Sequence, residues 1–242
     1  MNASFVNNVE EKIVSIELDS IRLQAEIVRP QNCQGIVIFV HSSGIGRYST
    51  RNRYLAHILR RTAGLGTVQI DLLTPQEEAI DLRSKHCTSN VGFLASRLTA
   101  ATNWLLNYPL TSNLKIGYFG EQTGAGAALL ATAKNPTMVS AVVSCSGKTC
   151  LTPGVLSDVK TPTLLIVGEN DLPTIATNQD TLKIIKASEK ELQIIPNASR
   201  QFKEAGALEE IARLASNYFK KHLSNMIHRE RSASVYQLTI KN

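Results

Sequence analysis

The segment Gly35–Val40 carries no polar side chain. A strand of this composition is buried on both faces, as strands are in a parallel sheet that helices cover from both sides. Further strand patterns recur at 67–72, 114–119, 139–144, 163–167 and 191–195, and segments of helical periodicity lie between most of them. This alternation predicts an α/β fold with a mostly parallel central sheet, helices on both faces and right-handed crossovers.

The N-terminal part of the chain has a different pattern. Residues 12–18 alternate in polarity, residues 21–28 form a second strand pattern, and Asp19-Ser20 between them is a turn signal. We therefore expect an antiparallel hairpin ahead of the parallel sheet. The predicted helices cover 50–61, 90–106, 124–134, 174–187 and 204–223.

Size and composition fit one folded unit. The chain has 242 residues, of which 43% are hydrophobic, and no internal repeat or low-complexity linker divides it. We predict a single domain over residues 1–223, followed by a basic C-terminal tail over residues 224–242.

The positive charge is concentrated near the C-terminus. The chain has a net charge of +6, and the region from Lys220 onward contains five basic residues and one acidic residue. This distribution argues against a domain-wide surface for nucleic acid, so no nucleic acid is expected as a partner. The tail is a candidate for binding a protein, because Tyr236, Leu238 and Ile240 alternate like a strand that adds to a partner's sheet. A disordered tail is the alternative.

Targeting, cysteine and metal signals are weak. No apolar run approaches the ~20 residues that a membrane span needs, and the start Met1-Asn2-Ala3-Ser4 lacks the layout of a signal peptide, so we expect a cytoplasmic protein. The four cysteines have no zinc spacing and are expected to be reduced thiols, with a redox-active Cys145–Cys150 pair as the alternative. Histidines and glycines form no metal or phosphate-loop pattern, so neither a metal nor a cofactor is predicted.

One segment has a layout with chemical meaning. The strand pattern at 114–119 runs into Gly120-Glu121-Gln122-Thr123-Gly124, and a helix rich in Ala and Gly follows. A strand, a sharp turn and a helix, with glycines two positions on either side of a central residue, form a nucleophile elbow. Glycine is needed because the turn brings the backbone against neighbouring elements, where a Cβ would clash.

With this elbow, the chain resembles the α/β-hydrolase superfamily and, within it, the dienelactone-hydrolase-like proteins. The resemblance extends from about Gly35 to Leu223 and implies a single α/β-hydrolase domain. The segments that carry it are His41-Ser-Ser-Gly44, Arg51-Asn52-Arg53, Asp71-Leu-Leu-Thr-Pro75, Gly117-Tyr-Phe-Gly120 through Gly124, Leu165-Ile-Val-Gly168 to Asp171, and Ala205-Gly-Ala-Leu-Glu-Glu210.

The resemblance implies three triad positions, which here are Gln122, Asp171 and Arg200. The family has serine or cysteine at the elbow, whereas the amide of Gln122 is not a usable nucleophile. Asp171 holds the position of the acid. Arg200 replaces the family's histidine base, and an arginine stays protonated at neutral pH and cannot accept a proton. Arg200 and Asp171 are instead expected to form a bidentate ion pair.

The loop that supplies an oxyanion amide in the family usually reads His-Gly, and here it reads His41-Ser42-Ser43. These residues and Thr123, which follows the central elbow residue, are the candidates for that role. A relocated nucleophile such as Ser43 with a histidine base would need an orienting acid and a correct line of attack, and the sequence indicates neither.

Four arginines are candidates for binding a phosphate or carboxylate: Arg47, Arg51, Arg53 and Arg200. The alternative is solvated arginines with one internal salt bridge. The leading hypothesis is thus a pseudohydrolase with a degenerate triad that acts by binding, as a regulator, scaffold or sensor of a small anion. The alternatives are an esterase or lactonase for small esters with a non-standard nucleophile, and an interaction module that binds its partner through the tail.

Overall fold

The computed structural model of the protein describes residues 9–18, 20–41, 46–84, 86–147 and 151–224. Its centre is an eight-stranded sheet in the order β1-β2-β4-β3-β5-β6-β7-β8. The strands are β1 (Val9–Leu18), β2 (Ile21–Pro30), β3 (Gly35–Val40), β4 (Gly66–Ile70), β5 (Lys115–Glu121), β6 (Ala141–Cys145), β7 (Thr163–Gly168) and β8 (Lys190–Ile195).

Strand pairing confirms the predicted architecture. β1 pairs antiparallel with β2, and β2 pairs antiparallel with β4. From β4 onward, the pairs β4–β3, β3–β5, β5–β6, β6–β7 and β7–β8 are all parallel. The carboxyl ends of these parallel strands share one edge of the sheet, which we call the carboxyl edge. In open α/β sheets, binding sites lie at this edge.

Helices flank the sheet in the described part of the chain. They are α1 (Thr50–Ala63), α2 (Pro75–Ser84), α3 (His86–Ser89), α4 (Val91–Asn107), α5 (Thr123–Lys134), α6 (Pro153–Ser157), α7 (Leu172–Ile184) and α8 (Ala207–Leu223). A 3-10 helix, Gly46–Tyr48, precedes α1. None of the described helices is long and apolar enough to cross a membrane.

β3 illustrates why the sheet is buried on both faces. All six of its residues are buried. Ile36 and Ile38 belong to a core cluster that includes residues of α4 and α5, whereas Val37 and Phe39 belong to a second cluster with residues of α1 and α8. Since side chains alternate across a strand, each face of β3 needs its own apolar partner layer.

Three helices were not predicted from the sequence, namely α2, α3 and α6. In α2 the apolar side chains of Ile80 and Leu82 are 68% exposed, while the charged Asp81 is buried. The helix therefore has no apolar stripe that a periodicity search could find. Asp81 accepts a hydrogen bond from the backbone N–H of Cys87 at 2.6 Å, which fixes α3 beside α2.

The C-terminal helix begins at Ala207, three residues later than predicted. Phe202 and Gly206 have positive φ angles of 48° and 81°, which are incompatible with a continuous right-handed helix before Ala207. The described chain ends at Ser224, directly after α8. The residues on which the predicted protein-binding tail depends, Tyr236, Leu238 and Ile240, lie outside the described residues.

Candidate active site

Gln122 occupies the sharp turn between β5 and α5. Its backbone has φ 49° and ψ −117°, a conformation that non-glycine residues rarely adopt. The surrounding structure holds it there, since its N–H donates to the carbonyl oxygen of Cys145 at 3.2 Å. The turn thus places Gln122 at its tip, on the carboxyl edge of the sheet.

The two glycines of the elbow are needed because backbone lies against them. A Cβ added at Gly120 would lie 2.6 Å from the Cα of Ala125, and one added at Gly124 would lie 2.3 Å from the carbonyl oxygen of Val40. Both distances are far below a normal van der Waals contact. The first turn of α5 is therefore packed against the end of β3.

Asp171 and Arg200 lie close together but form a looser contact than expected. Asp171 Oδ1 accepts from the Thr174 N–H at 3.4 Å and caps α7. Asp171 Oδ2 lies 3.9 Å from Arg200 Nε, and no donor among the described residues reaches it. The bidentate geometry is absent because one carboxylate oxygen serves the helix terminus, while the Arg200 side chain is 39% exposed. The Arg200 carbonyl is fixed by the Ser146 hydroxyl, which donates to it at 3.1 Å.

Arg51 joins the elbow to the loop that follows β8. Its Nε donates to Glu121 Oε1 at 2.9 Å, and its Nη1 donates to the carbonyl oxygen of Gln201 at 2.7 Å. The guanidinium lies 5.4 Å from the centroid of the Phe202 ring. A third nitrogen, Nη2, lies 3.8 Å from Cys145 Sγ. Arg51 is therefore largely saturated with partners, and its role is to hold these segments together.

A cavity of about 220 Å³ opens at the elbow. The residues that line it are Arg51, Glu121, Gln122, Cys145, Ser146, Arg200, Gln201 and Phe202. Sequence reasoning missed Glu121, Ser146 and the Gln201–Phe202 wall. Glu121 precedes the central elbow residue, but its pairing with Arg51, 70 positions away, depends on the fold and leaves no local signal.

The other arginine candidates lie elsewhere. Arg47 pairs with Asp71, through its backbone N–H at 3.2 Å and its Nε at 3.0 Å. Arg53 pairs with Glu26 of β2 at 3.6 Å. Both guanidinium groups are therefore paired with a carboxylate outside the cavity at the elbow. Of the predicted arginine cluster, the structure brings only two members to the cavity.

The residues proposed for the oxyanion loop are only partly described. Ser42 and Ser43 lie outside the described residues, and Thr123 is the first residue of α5. His41 is buried, with Asn52 Nδ2 3.1 Å from its Nδ1. Burial disfavours the imidazolium and lowers the pKa of His41 to about 4.

This lowered pKa predicts a pH-dependent stability. An unfolded histidine titrates near 6.5, so the unfolded chain takes up a proton at a higher pH than the folded chain. The contribution of neutral His41 to the free energy of unfolding is complete above the pKa of the unfolded chain, near 6.5, and is lost as the pH falls toward 4. Between about pH 7 and about pH 4.5 we expect His41 to account for about 2–3 kcal/mol of lost unfolding free energy.

Urea unfolding of His41→Gln at both pH values measures this contribution, because the variant should lack that part of the loss. His57→Gln is the matched control, since His57 lies exposed on α1. An equal pH-dependent loss in His41→Gln and in the wild type would contradict the assignment.

Cys145 is buried at the end of β6. Burial raises the pKa of its thiol, and the nearby charge of Glu121 raises it further. Cys150 lies outside the described residues, so the redox pair remains a prediction. Among the described residues, no three His, Cys, Asp or Glu side chains gather in a way that could hold a metal ion.

A family model and a solved structure both show similarity to dienelactone hydrolases. A model of the dienelactone hydrolase family matches residues 23–210. The crystal structure of a dienelactone hydrolase from Anabaena variabilis ATCC 29413 is 51% identical, with a TM-score of 0.85, over 89% of this chain and 99% of that one. Est1E from Butyrivibrio proteoclasticus shares the fold, at 13% identity and a TM-score of 0.69, over 86% of this chain and 98% of that one.

A longer protein also matches. The Mycobacterium tuberculosis protein named "Putative phosphoribosyl transferase" is 40% identical over 215 residues, which cover 89% of this chain and 47% of that protein. The chain thus spans about half the length of this relative.

Proposed function

The chain belongs to the dienelactone hydrolase family, and we propose that it uses the fold to bind a small anionic ligand instead of transferring an acyl group. The observation that carries the proposal is the side chain at the elbow. Gln122 lies at the tip of the turn between β5 and α5, and its amide is not a usable nucleophile for acyl transfer, which needs an oxygen or a sulfur atom.

The second support is Arg200, at the position where the family resemblance implies the base. A hydrolase of this kind needs a group that removes the proton from its nucleophile. The side chain beside Asp171 is the guanidinium of Arg200, at 3.9 Å. Guanidinium is a donor only and remains charged, so it can bind an anion but cannot accept a proton.

Anion binding is supported by what surrounds the cavity. Arg51 is saturated with partners, whereas the Arg200 side chain is half-exposed and, among the residues that the structure describes, has the loose contact with Asp171 as its one ion pair. The N-terminus of α5 begins at the elbow, and the N–H groups of a helix's first turn attract negative charge. A ligand oxyanion held between Arg200 and this helix terminus uses both features.

The ligand class follows from charge and size. Carboxylate and phosphate both match a guanidinium in geometry, and a cavity of about 220 Å³ admits a small molecule. We place phosphate first, because a stretch 40% identical to this chain forms about half of the protein named "Putative phosphoribosyl transferase".

Titration with inorganic phosphate and with acetate, followed by calorimetry, tests the proposal. The substitution Arg200→Gln should weaken phosphate binding by about tenfold or more, the effect of losing a hydrogen-bonded charge. Arg213→Gln is the matched control, because Arg213 lies exposed on α8 and pairs with Glu210. Phosphate binding that is absent in the wild type, or unchanged in Arg200→Gln, would overturn the proposal.

A second candidate function is hydrolysis of small esters or lactones by a non-standard nucleophile. It is favoured by the 51% identical protein whose crystal structure is named as a dienelactone hydrolase. A serine-reactive fluorophosphonate probe separates the two functions. Stoichiometric labelling of one serine, with ester turnover that the label abolishes, would establish the hydrolase, and we expect neither.

A further inference from the structure

A second cavity lies far from the elbow, at the opposite edge of the sheet. It occupies about 470 Å³ between the C-terminal half of α8 and the start of β8. We call it the α8–β8 groove. Among the residues that line it are Leu164, Glu189, Glu191, Leu214, Tyr218 and Lys221.

The register of the sheet explains the groove. Leu164 of β7 pairs with Glu191 of β8, so both side chains point to the face on which α8 packs. α8 covers Leu164 but does not extend over β8, whose Glu191 stays exposed. The groove therefore has an apolar floor and wall, from Leu164 and Leu214, and a carboxylate on its outer side.

Tyr218 is the feature that points to a ligand. The residue is 9% exposed, and its hydroxyl oxygen has no hydrogen-bond partner among the described residues. A buried hydroxyl without a partner costs about 1–3 kcal/mol, and buried polar groups are normally hydrogen-bonded to protein, to ordered water or to a bound group. The Tyr218 ring packs against the His222 ring at 4.5 Å, which fixes its orientation.

The charges in the groove decide which ligand fits. Two lysines line the groove, Lys190 and Lys221, and both already have hydrogen-bond partners. Lys190 donates to the carbonyl oxygen of Ile185 at 2.7 Å, and Lys221 donates to Glu189. Glu191 receives only the amide of Gln193 among the described residues. The Glu191 carboxylate and the Tyr218 oxygen are thus among the acceptors that remain, beside the neutral side chains of Ser188 and Asn217.

The electrostatics at Tyr218 agree with this pattern. Burial raises the pKa of its hydroxyl, and the negative charges of Glu189 and Glu191 raise it further. The hydroxyl stays neutral, and the electrostatic potential at its oxygen is negative. A cation is attracted to such a position and an anion is repelled.

We propose that the α8–β8 groove binds a guanidinium or primary ammonium group, held by the Glu191 carboxylate and the Tyr218 hydroxyl oxygen. Leu214 contacts the hydrocarbon part of the ligand. This site is independent of the anion site at the elbow. The cation has two sources, a free organic amine or Arg229 and Arg231 of this same chain, which follow α8 in sequence.

Calorimetric titration of the full chain with agmatine tests the site. Tyr218→Phe, which keeps the ring, and Glu191→Gln should each weaken agmatine binding by about tenfold, because each removes one acceptor of a charged hydrogen bond. Glu209→Gln is the matched control, since Glu209 lies exposed in the first turn of α8, outside the groove. This substitution removes one negative charge, as Glu191→Gln does. It should bind agmatine like the wild type.

The variant Arg229→Gln/Arg231→Gln separates the two sources of the cation. An increased affinity for agmatine identifies the chain's own arginines as occupants, and an unchanged affinity identifies a free amine. The proposal is overturned if neither the wild type nor this variant binds agmatine, or if Tyr218→Phe and Glu191→Gln bind it as well as the wild type.

Discussion

Replacing Gly124 by alanine should lower the free energy of unfolding by about 3 kcal/mol or more, the upper range for overpacking. The added Cβ would lie 2.3 Å from the carbonyl oxygen of Val40 and 3.1 Å from the Cα of His41. Neither atom can move easily, because β3 is hydrogen-bonded between β4 and β5 in the middle of the sheet. Relief would require α5 to withdraw from the sheet.

Urea unfolding of Gly124→Ala and of the wild type measures this effect. Gly154→Ala is the control, since a Cβ at Gly154 of α6 would have no heavy atom within 4 Å. In that helix alanine should be neutral or stabilising by up to about 1 kcal/mol. If Gly124→Ala unfolds at the same urea concentration as the wild type, the close packing of the elbow against β3 is wrong.

The second large effect is a gain of activity. Changing Gln122→Cys and Arg200→His together should produce hydrolysis of aryl esters about a hundredfold or more above the wild type, the usual contribution of a positioned base and nucleophile. The elbow already holds its central residue in the required conformation. Asp171 Oδ2 lies 3.9 Å from Arg200 Nε and has no donor within the described part of the chain, so it can accept the N–H of an imidazole at position 200.

Release of p-nitrophenol from p-nitrophenyl acetate, with mass spectrometry of the acyl-enzyme, measures this gain. Gln122→Ala/Arg200→His supplies the control, because it contains the imidazole without a nucleophile. Either single substitution should stay close to the wild type, since a thiol without a base and a base without a thiol are both incomplete. A wild type as active as the double variant would refute the proposed loss of catalysis, and a folded but inactive double variant would refute the assignment of Arg200.

The central strands were predictable because they are buried on both faces and their composition is accordingly apolar. Gly35–Val40 could only be a strand with apolar layers on both sides, and its bounds in the structure are those of the sequence pattern. α2 could not be predicted, because its exposed Ile80 and Leu82 obscure the helical period. Local packing explains this difference, since periodicity reports burial and α2 buries little apolar surface.

The glycine pattern of the elbow predicted Gln122 at the turn between β5 and α5, where the structure places it. The roles of Asp171 and Arg200 as triad positions are implied by the family resemblance and stay a prediction. Which of the four candidate arginines reach the cavity could not be predicted from the sequence. Arg47 and Arg53 pair with Asp71 and Glu26, which only the folded sheet brings within reach. The carboxylate with which a long arginine side chain pairs depends on the folded structure, and sequence spacing does not predict it.

The contacts of Arg51 also bear on how the protein folds. Its hydrogen bond to Gln201 joins positions 150 residues apart. Such a long-range contact forms only after a large loop has closed, and closure of long loops slows folding. We therefore expect the cavity at the elbow to form late in the folding reaction. A nascent chain that has completed β1 to β7 already contains the elbow and Arg51, yet it has no wall on the side of Gln201 until β8 has joined the sheet.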